Sequence, residues 1–402
     1  MKLTRRHFVA TALSAIAAGA EYHKKKVAAI VTEYRPLSHA DVIVGRFLDG
    51  YRPNDIYVRP KTHVVSMYTD QIAKKDMSRD LAAKHGFPIY PTIEQALTLG
   101  GDKLAVDAVL FVGEHGDYPW NDRGQHLYPR HKLLKEIVDV YRKNARSVPT
   151  FSDKHLSYDW NQAKEMYGWS KELNFPFMAG SSIPVTVRTP ELEIPYGAGI
   201  KEGVVIGYGN LDAYGFHTLE SMQCMVERRR GGETGVASVE WIEGDEVWKY
   251  RDGEAGAWSR PLLEQALARN PRTQPGRPED NVKEPSLFLV NYKDGLRTAA
   301  YMLNGHARGW SLALRLNDRP DPVSTFFGFT SGGRRLIHFD GLVYGIEHLF
   351  TTGKPLYPVE RTLLTTGTLS FLFESRVQQK RLETPELHIE YKAPQNTFFQ
   401  RA

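Results

Sequence analysis

Lys25-Lys26-Val27-Ala28-Ala29-Ile30-Val31-Thr32-Glu33-Tyr34-Arg35-Pro36-Leu37-Ser38-His39 is the stretch whose reading decides the fold. Lys25–Val31 is short and nearly all apolar, the pattern of a strand covered on both faces of a sheet. A helix begins near His39. Where such a pair holds a dinucleotide, the link is G-x-G-x-x-G. Its glycines allow a tight turn and let a pyrophosphate touch bare backbone at the helix N-terminus. The link here, Thr32–Ser38, has no glycine; it carries Glu33, Tyr34, Arg35 and Pro36.

Outward from that turn, strand and helix alternate. Thr62–Asp70 is β-rich and ends in an acid, a helix follows around Ala73–His85, and Gly86–Tyr90 reads as a short strand. Thr92 is placed to cap a helix, with Gln95 three residues on as in a capping box. Val106–Gly113 is a nearly continuous apolar strand, and a helix over Arg130–Asn144 leads to the strand Val148–Phe151. This rhythm predicts βαβ units on a parallel sheet, a Rossmann-like domain over residues 21–157. From about residue 185 the pattern changes. Gly203–Gly209, Val236–Trp241, Ser286–Asn291, Thr298–Leu303, Trp310–Leu316 and Ser324–Gly328 read as strands, several with alternating polarity. Helices stand around Gly215–Glu227 and His338–Thr352, and Asn270–Glu284 is a polar, proline-rich loop. Residues 158–402 are therefore expected to form an α+β domain on an open, mostly antiparallel sheet. The fold class is α/β, two domains in series.

The N-terminus reads as an export signal. Thr4-Arg5-Arg6-His7-Phe8-Val9 is a twin-arginine pattern, and the apolar run Val9–Ala20 ends in the small-x-small site Ala18-Gly19-Ala20. The run falls short of the roughly 20 apolar residues that span a bilayer. Residues 1–20 are thus expected to be removed and the protein to work in the periplasm or otherwise outside the cytoplasm. No integral membrane segment is expected after that. The net charge is +5; without Lys2, Arg5 and Arg6 there remain 49 basic residues against 47 acidic, about +2. That balance, with scattered basic residues, gives no ground for a nucleic-acid partner. The one basic cluster, Arg228-Arg229-Arg230 beside Gly231-Gly232, reads as a solvated loop. A single cysteine, Cys224, excludes an intramolecular disulfide and a zinc site built on several cysteines; its neighbours suggest a helix core position.

Five segments together resemble the glucose–fructose oxidoreductase/inositol dehydrogenase superfamily (Gfo/Idh/MocA) between about Lys25 and Glu390. They are Ser38-His39-Ala40-Asp41; the order of strands and helices from Val64 through Tyr90 to Val109; Asp153-Lys154-His155-Leu156-Ser157, where the family has Glu-Lys-Pro-Leu-Ala; Asp212-Ala213-Tyr214-Gly215-Phe216-His217, where it has an acid and then a histidine opening a helix; and Glu374-Ser375-Arg376-Val377 in its closing helix. The resemblance implies NAD(P) in the first domain and a sugar or polyol over the second domain's sheet. It also implies catalysis by Lys154, Asp212 and His217, and a homo-oligomer formed through the open face of that sheet. The sequence departs from the family at the turn, where the three glycines map to Val31, Glu33 and Pro36, and at His155, which replaces a proline.

Side chains at the turn occupy the space a phosphate would use, proline removes an N–H, and Glu33 sets a carboxylate near a dianion. A nucleotide would therefore be held in a non-standard way, by Glu33, Tyr34 and Arg35 at the turn, Asp70 at the end of the second strand for a ribose hydroxyl, and Glu114, His115 and Asp153 at the ends of later strands. A lysine with a lowered pKa and a histidine beside an aspartate can move protons at a carbinol or next to a keto group, with or without a nicotinamide. His115, His126 and His155, with His39, His131, His217 and the nearby acids, could alternatively hold a divalent metal, although no pair has a recognised ligand spacing. The loop Gly113–Arg130 is aromatic and polar, a composition that suits a carbohydrate. Three functions stay open: an exported NAD(P)-dependent oxidoreductase acting on a sugar; a sugar lyase, hydrolase or epimerase on the same scaffold, metal-assisted or cofactor-free; and a sugar-binding protein without turnover.

Overall fold

The computed structural model describes residues 24–331 and 333–401. The twin-arginine segment read at residues 1–20 lies outside them. Five parallel strands form the first sheet: β1 (Lys25–Val31), β2 (Thr62–Thr69), β3 (Ala108–Val112), β4 (Thr150–Asp153) and β5 (Phe177–Gly180), in the order β2-β1-β3-β4-β5. Helices α1 (His39–Asp49), α2 (Ser78–His85), α3 (Ile93–Thr98), α4 (Arg130–Asn144) and α5 (Trp160–Glu172) connect them. Val27–Val31 are wholly buried because β1 is central and covered on both sides. Its residues alternate: Ala28 and Ile30 join Ile93, Leu97, Leu134 and Ile137, while Val27, Ala29 and Val31 join Ile43, Val44 and Phe47. Thr92 caps α3 as its sequence predicts, accepting from the Gln95 N–H at 3.2 Å.

The parallel sheet does not stop near residue 157. β5 belongs to it, so the first layer runs to Gly180. The Gly86–Tyr90 strand is reduced to a single parallel bridge between Met67 and Ile89.

The second sheet has eight strands, β6 (Val187–Thr189), β7 (Ile200–Gly207), β8 (Val236–Glu243), β9 (Ser286–Tyr292), β10 (Arg297–Met302), β11 (Trp310–Leu316), β12 (Val323–Gly328) and β15 (Leu382–Glu383). Their order is β15-β8-β9-β10-β7-β11-β12-β6, antiparallel except for the β10–β7 pair. A two-stranded ribbon, β13 (Thr330–Ser331) and β14 (Arg334–Arg335), follows β12. Helices α6 (Ala213–Val226) and α11 (Val359–Gln378) cover one face, with Val205, Phe288 and Val290 meeting Phe216, Met222 and Leu372.

The other face is not free, contrary to what the family resemblance implies. Helices α7 (Glu246–Asp252), α8 (Arg260–Arg269) and the short α9 (Pro278–Asn281) occupy the connection between β8 and β9. Val247, Leu262, Leu263 and Ala266 close over Val204, Ile206, Leu289, Tyr301 and Ala313. The chain covers this sheet with its own helices, so the face expected to form a subunit contact is already packed. Helix α10 (His338–Thr352), on the span the sequence predicts, returns to the first sheet and seals the α1 side of β1 with Leu342, Ile346 and Phe350. Cys224 is buried in α6. Arg228 and Arg229 are also buried, which corrects their reading as a solvated loop. Arg229 pairs with Glu233 at 2.9 Å and Asp294 at 2.6 Å, and Arg228 is spent on the carbonyls of Ile194, Pro394 and Gln395.

Candidate functional site

A cavity of about 980 Å³ opens between the carboxyl ends of the parallel strands and the second sheet. Parallel α/β sheets bind ligands at that edge, because the strand ends converge there while the connecting loops leave room. Lys154, one residue past β4, lines it with φ 63°, its backbone turned back to donate to the Gly180 carbonyl at 3.0 Å. Its ammonium lies 3.0 Å from Glu114 Oε1, and Arg130, entirely buried at the start of α4, binds the other oxygen of Glu114. Burial alone would raise the Glu114 carboxyl, but Lys154 and Arg130 beside it hold it well below the usual carboxylate range. Lys154, Glu114 and Arg130 are therefore one buried unit with a surplus positive charge facing the cavity.

Asp212 and His217 sit at the head of α6 and both line the cavity. Asp212 accepts from the His126 N–H at 3.0 Å through Oδ2, and among the described residues its Oδ1 has no hydrogen-bond partner; burial pushes its carboxyl up to about 6. His217 is pushed well below the ordinary imidazole range by burial and by Lys154, so it enters as a neutral ring. The sequence reading placed His39 among the imidazoles of the cleft without giving it a role. In the structure its Nδ1 donates to Asp153 Oδ2 at 2.5 Å, and Asp153 is 1 % exposed. A buried aspartate on one ring nitrogen fixes the tautomer and leaves the other nitrogen as a base. His39 and Asp153 are 114 positions apart, so only the folded chain could reveal the pair.

The residues expected to hold a cofactor divide in two. Glu33, Arg35, Glu114 and His115 line the cavity. Glu33 and Arg35 are paired with each other at 2.6 Å, and His115, lowered to about 3 by burial, lies 3.5 Å from Arg35. Tyr34, Asp70 and Asp153 do not line it. The Tyr34 ring is wholly buried against α1, and Asp70 accepts from Tyr68 at 2.8 Å and Tyr118 at 2.6 Å. The metal expectation is corrected as well. His126 stacks on Trp120, and His155 is closed in between Arg130 and Asp212. Among the described residues no group of three or more His, Cys, Asp or Glu side chains could hold a metal ion.

Neither a family model nor a curated protein matches the sequence. Solved structures do match. The myo-inositol 2-dehydrogenase of Lactobacillus plantarum superimposes with TM-score 0.54 at 11 % identity, covering 90 % of this chain and 99 % of its own. GenD2 of gentamicin A biosynthesis, in complex with NAD, gives 0.55 at 12 %, covering 91 % and 98 %. An oxidoreductase from Agrobacterium radiobacter, in complex with NAD+, L-tartaric acid and magnesium, gives 0.53 at 11 %, covering 90 % and 98 %.

The chain has the Gfo/Idh/MocA fold.

Within the Gfo/Idh/MocA fold, the turn after β1 tests whether a dinucleotide fits. The chain's own groups already hold that turn. The Leu37 N–H donates to Asp41 Oδ2 at 2.8 Å, the Asp41 N–H to Ser38 Oγ at 3.3 Å, and the Arg35 N–H to the same oxygen at 3.2 Å. Two carboxylates, Asp41 and the buried Glu33, therefore lie where a pyrophosphate would approach, and both oxygens of Asp70 are engaged by tyrosines rather than left for a ribose. These residues do not fit a dinucleotide held on the first turn.

Proposed function

We propose that the protein is an enzyme that moves protons on a carbohydrate, as an epimerase, lyase or hydrolase, in the cavity between the two sheets. One observation carries this reading: Lys154–Glu114, His39–Asp153, Asp212 and His217 converge on one cavity, while the turn that would hold a pyrophosphate is filled by Glu33 and Asp41. His39, fixed by Asp153, takes a proton from a carbon next to a carbonyl. The electron pair moves onto the carbonyl oxygen, where the Lys154 ammonium stabilises the charge. Return of a proton to the other face gives an epimer. Loss of a neighbouring substituent, with a proton from Asp212, gives elimination. A carboxyl near pH 6 is poised for that donation.

The test is proton exchange. The mature protein, incubated in D2O with a panel of aldoses, ketoses and keto-glycosides, is expected to exchange a carbon-bound proton or to release a fragment, read by NMR. Lys154→Met and His39→Gln are each expected to lower that rate by about 100-fold or more while leaving the circular dichroism spectrum unchanged. Wild-type rates in both variants would remove the assigned site.

Oxidation of a sugar with NAD(P) is the second reading. It is supported by the two superimposed structures that contain NAD and by the retained Lys154, Asp212 and His217. It requires the nucleotide to be held elsewhere than on the first turn. Export belongs to both readings and is supported by Arg5-Arg6 and the run Val9–Ala20. Replacing both arginines with lysine is expected to keep the protein in the cytoplasm on cell fractionation; unchanged export would reject the twin-arginine route.

A further inference from the structure

We infer that the cavity binds an extended glycan, at least two sugar units laid across the catalytic groups, rather than a single sugar. This rests on the carbohydrate reading above and adds its substrate class.

The cavity is large for one ring. Its volume of about 980 Å³ lies at the upper end of the roughly 300–1,000 Å³ of small-molecule pockets. It runs from Glu33 and Arg35, the half that a nucleotide takes in a dehydrogenase of this fold, to Tyr208 and Tyr214 at the second sheet. With the first turn closed to pyrophosphate, that half remains continuous with the sugar side.

Aromatic rings with polar groups beside them line the cavity from both domains. On the first-domain rim Trp120 is 54 % exposed, and it is a built platform rather than a stray side chain. One face stacks on His126, with centroids 4.2 Å apart and planes 16° from parallel, and the two residues are joined by an antiparallel bridge. His126 is itself fixed by its backbone N–H to Asp212 and by its ring Nε2 to the Tyr118 carbonyl at 3.0 Å. The other face of the indole is left for a ligand. On the second-domain side Tyr208 and Tyr214 are backed by Trp310, which stacks on Tyr214 at 5.4 Å and donates its N–H to Thr218 at 2.9 Å. Among the described residues the hydroxyls of Tyr208 and Tyr214, the Asn210 amide nitrogen and the Asp117 carboxylate have no side-chain partner. Asn210 uses only its oxygen, on the Asp212 and Ala213 N–H groups. Flat rings flanked by free donors and acceptors match a pyranose, with its apolar CH face and equatorial hydroxyls. A lipid chain would strand those polar groups. Lys154 and His39 line the same cavity as these rings, so a glycan held on the rings would reach the catalytic groups.

The experiment is a calorimetric length series with the mature protein, using gluco-, manno- and N-acetylglucosamine oligosaccharides of one to six units. In at least one series affinity is expected to rise about tenfold or more from one unit to three and then level off. Trp120→Ala is expected to erase that gain. Equal affinity for one unit and for longer chains, or a length gain untouched by Trp120→Ala, overturns the inference. If a monosaccharide exchanges protons as above but length has no effect, the inference fails and the proposed function stands. If no sugar binds or reacts, both fail.

Discussion

Glu220 lies in the middle of α6, fully buried, with Oε2 accepting from the Ser181 N–H at 2.8 Å and Oε1 without a hydrogen-bond partner among the described residues. Burial pushes its carboxyl up to about 7 from an ordinary 4.5. Because the folded value is raised, the protonated form is the one the fold favours. Its contribution is complete below about pH 4.5 and is lost as the pH rises through about 7. Glu220→Gln keeps the shape without the charge. It is expected to raise Tm by about 1–3 °C at pH 8 and by much less at pH 5, read by thermal unfolding; an equal gain at both pH values would show that Glu220 does not ionise in the fold. No sequence signal marks this residue, since an acid in a helix is ordinarily read as solvated. Lys154, Asp212 and His217 were legible because their motif positions survive, and all three reach the cavity. Glu114, Asp153 and His39 were read at the cleft, but their pairings, and the place of Arg130, were not. Glu114 and Arg130 bracket a long loop, and His39 meets Asp153 from another element. Such pairs are fixed by strand order rather than by spacing. Arg228 and Arg229 failed in the opposite sense: three adjacent arginines look wet, yet two are buried because carbonyls and acids from distant segments reach them.

Most elements announce themselves. β11, α4 and α10 have the limits that apolar periodicity predicts. Helices α7 and α8 do not, although they decide what the second sheet can touch. Of the ten residues of α8 only Leu262, Leu263 and Ala266 are buried, and the helix follows the glycines Gly253 and Gly256. A stripe that short cannot be told from a loop until the sheet beneath it is known. Its packing is nevertheless close: Ala266 has no exposed surface, and its carbonyl accepts from Ser311 at 2.8 Å. Ala266→Asp would bury a carboxylate against Val204 and Ala313. It is expected to cost about 2–4 kcal/mol in urea unfolding, whereas a change under 0.5 kcal/mol would mean that α8 is loosely held. The turn at Thr32–Ser38 is the reverse case. Its composition alone forecast that a pyrophosphate would be unwelcome, but not that Asp41 takes the Leu37 N–H or that Tyr34 turns into the core.

At the scale of the molecule, the two sheets make one cavity, and the question is which ligands share it. Titration with NADH, followed by energy transfer from tryptophan to the nicotinamide, is expected to give no saturable binding below about 1 mM, the weak limit of ordinary recognition. Saturation in the micromolar range would favour the oxidoreductase and locate a nucleotide site away from the first turn. The two-layer plan was readable from the switch in rhythm near residue 185. The fifth parallel strand and the return of the chain's far end to the first sheet were not, because both depend on which surfaces remain bare once the earlier elements are in place.

That return sets a timetable. Phe339, Leu342, Val343, Ile346, Leu349 and Phe350 of α10 share a core with Val27, Ala29 and Val31, the first strand to leave the ribosome. Until synthesis has passed α10, that side of the strand is covered by α1 alone. A fragment cut short before this point is expected to leave the β1 side of that core less covered and more open to limited proteolysis. The core on that side of β1 is closed only once α10 has been made.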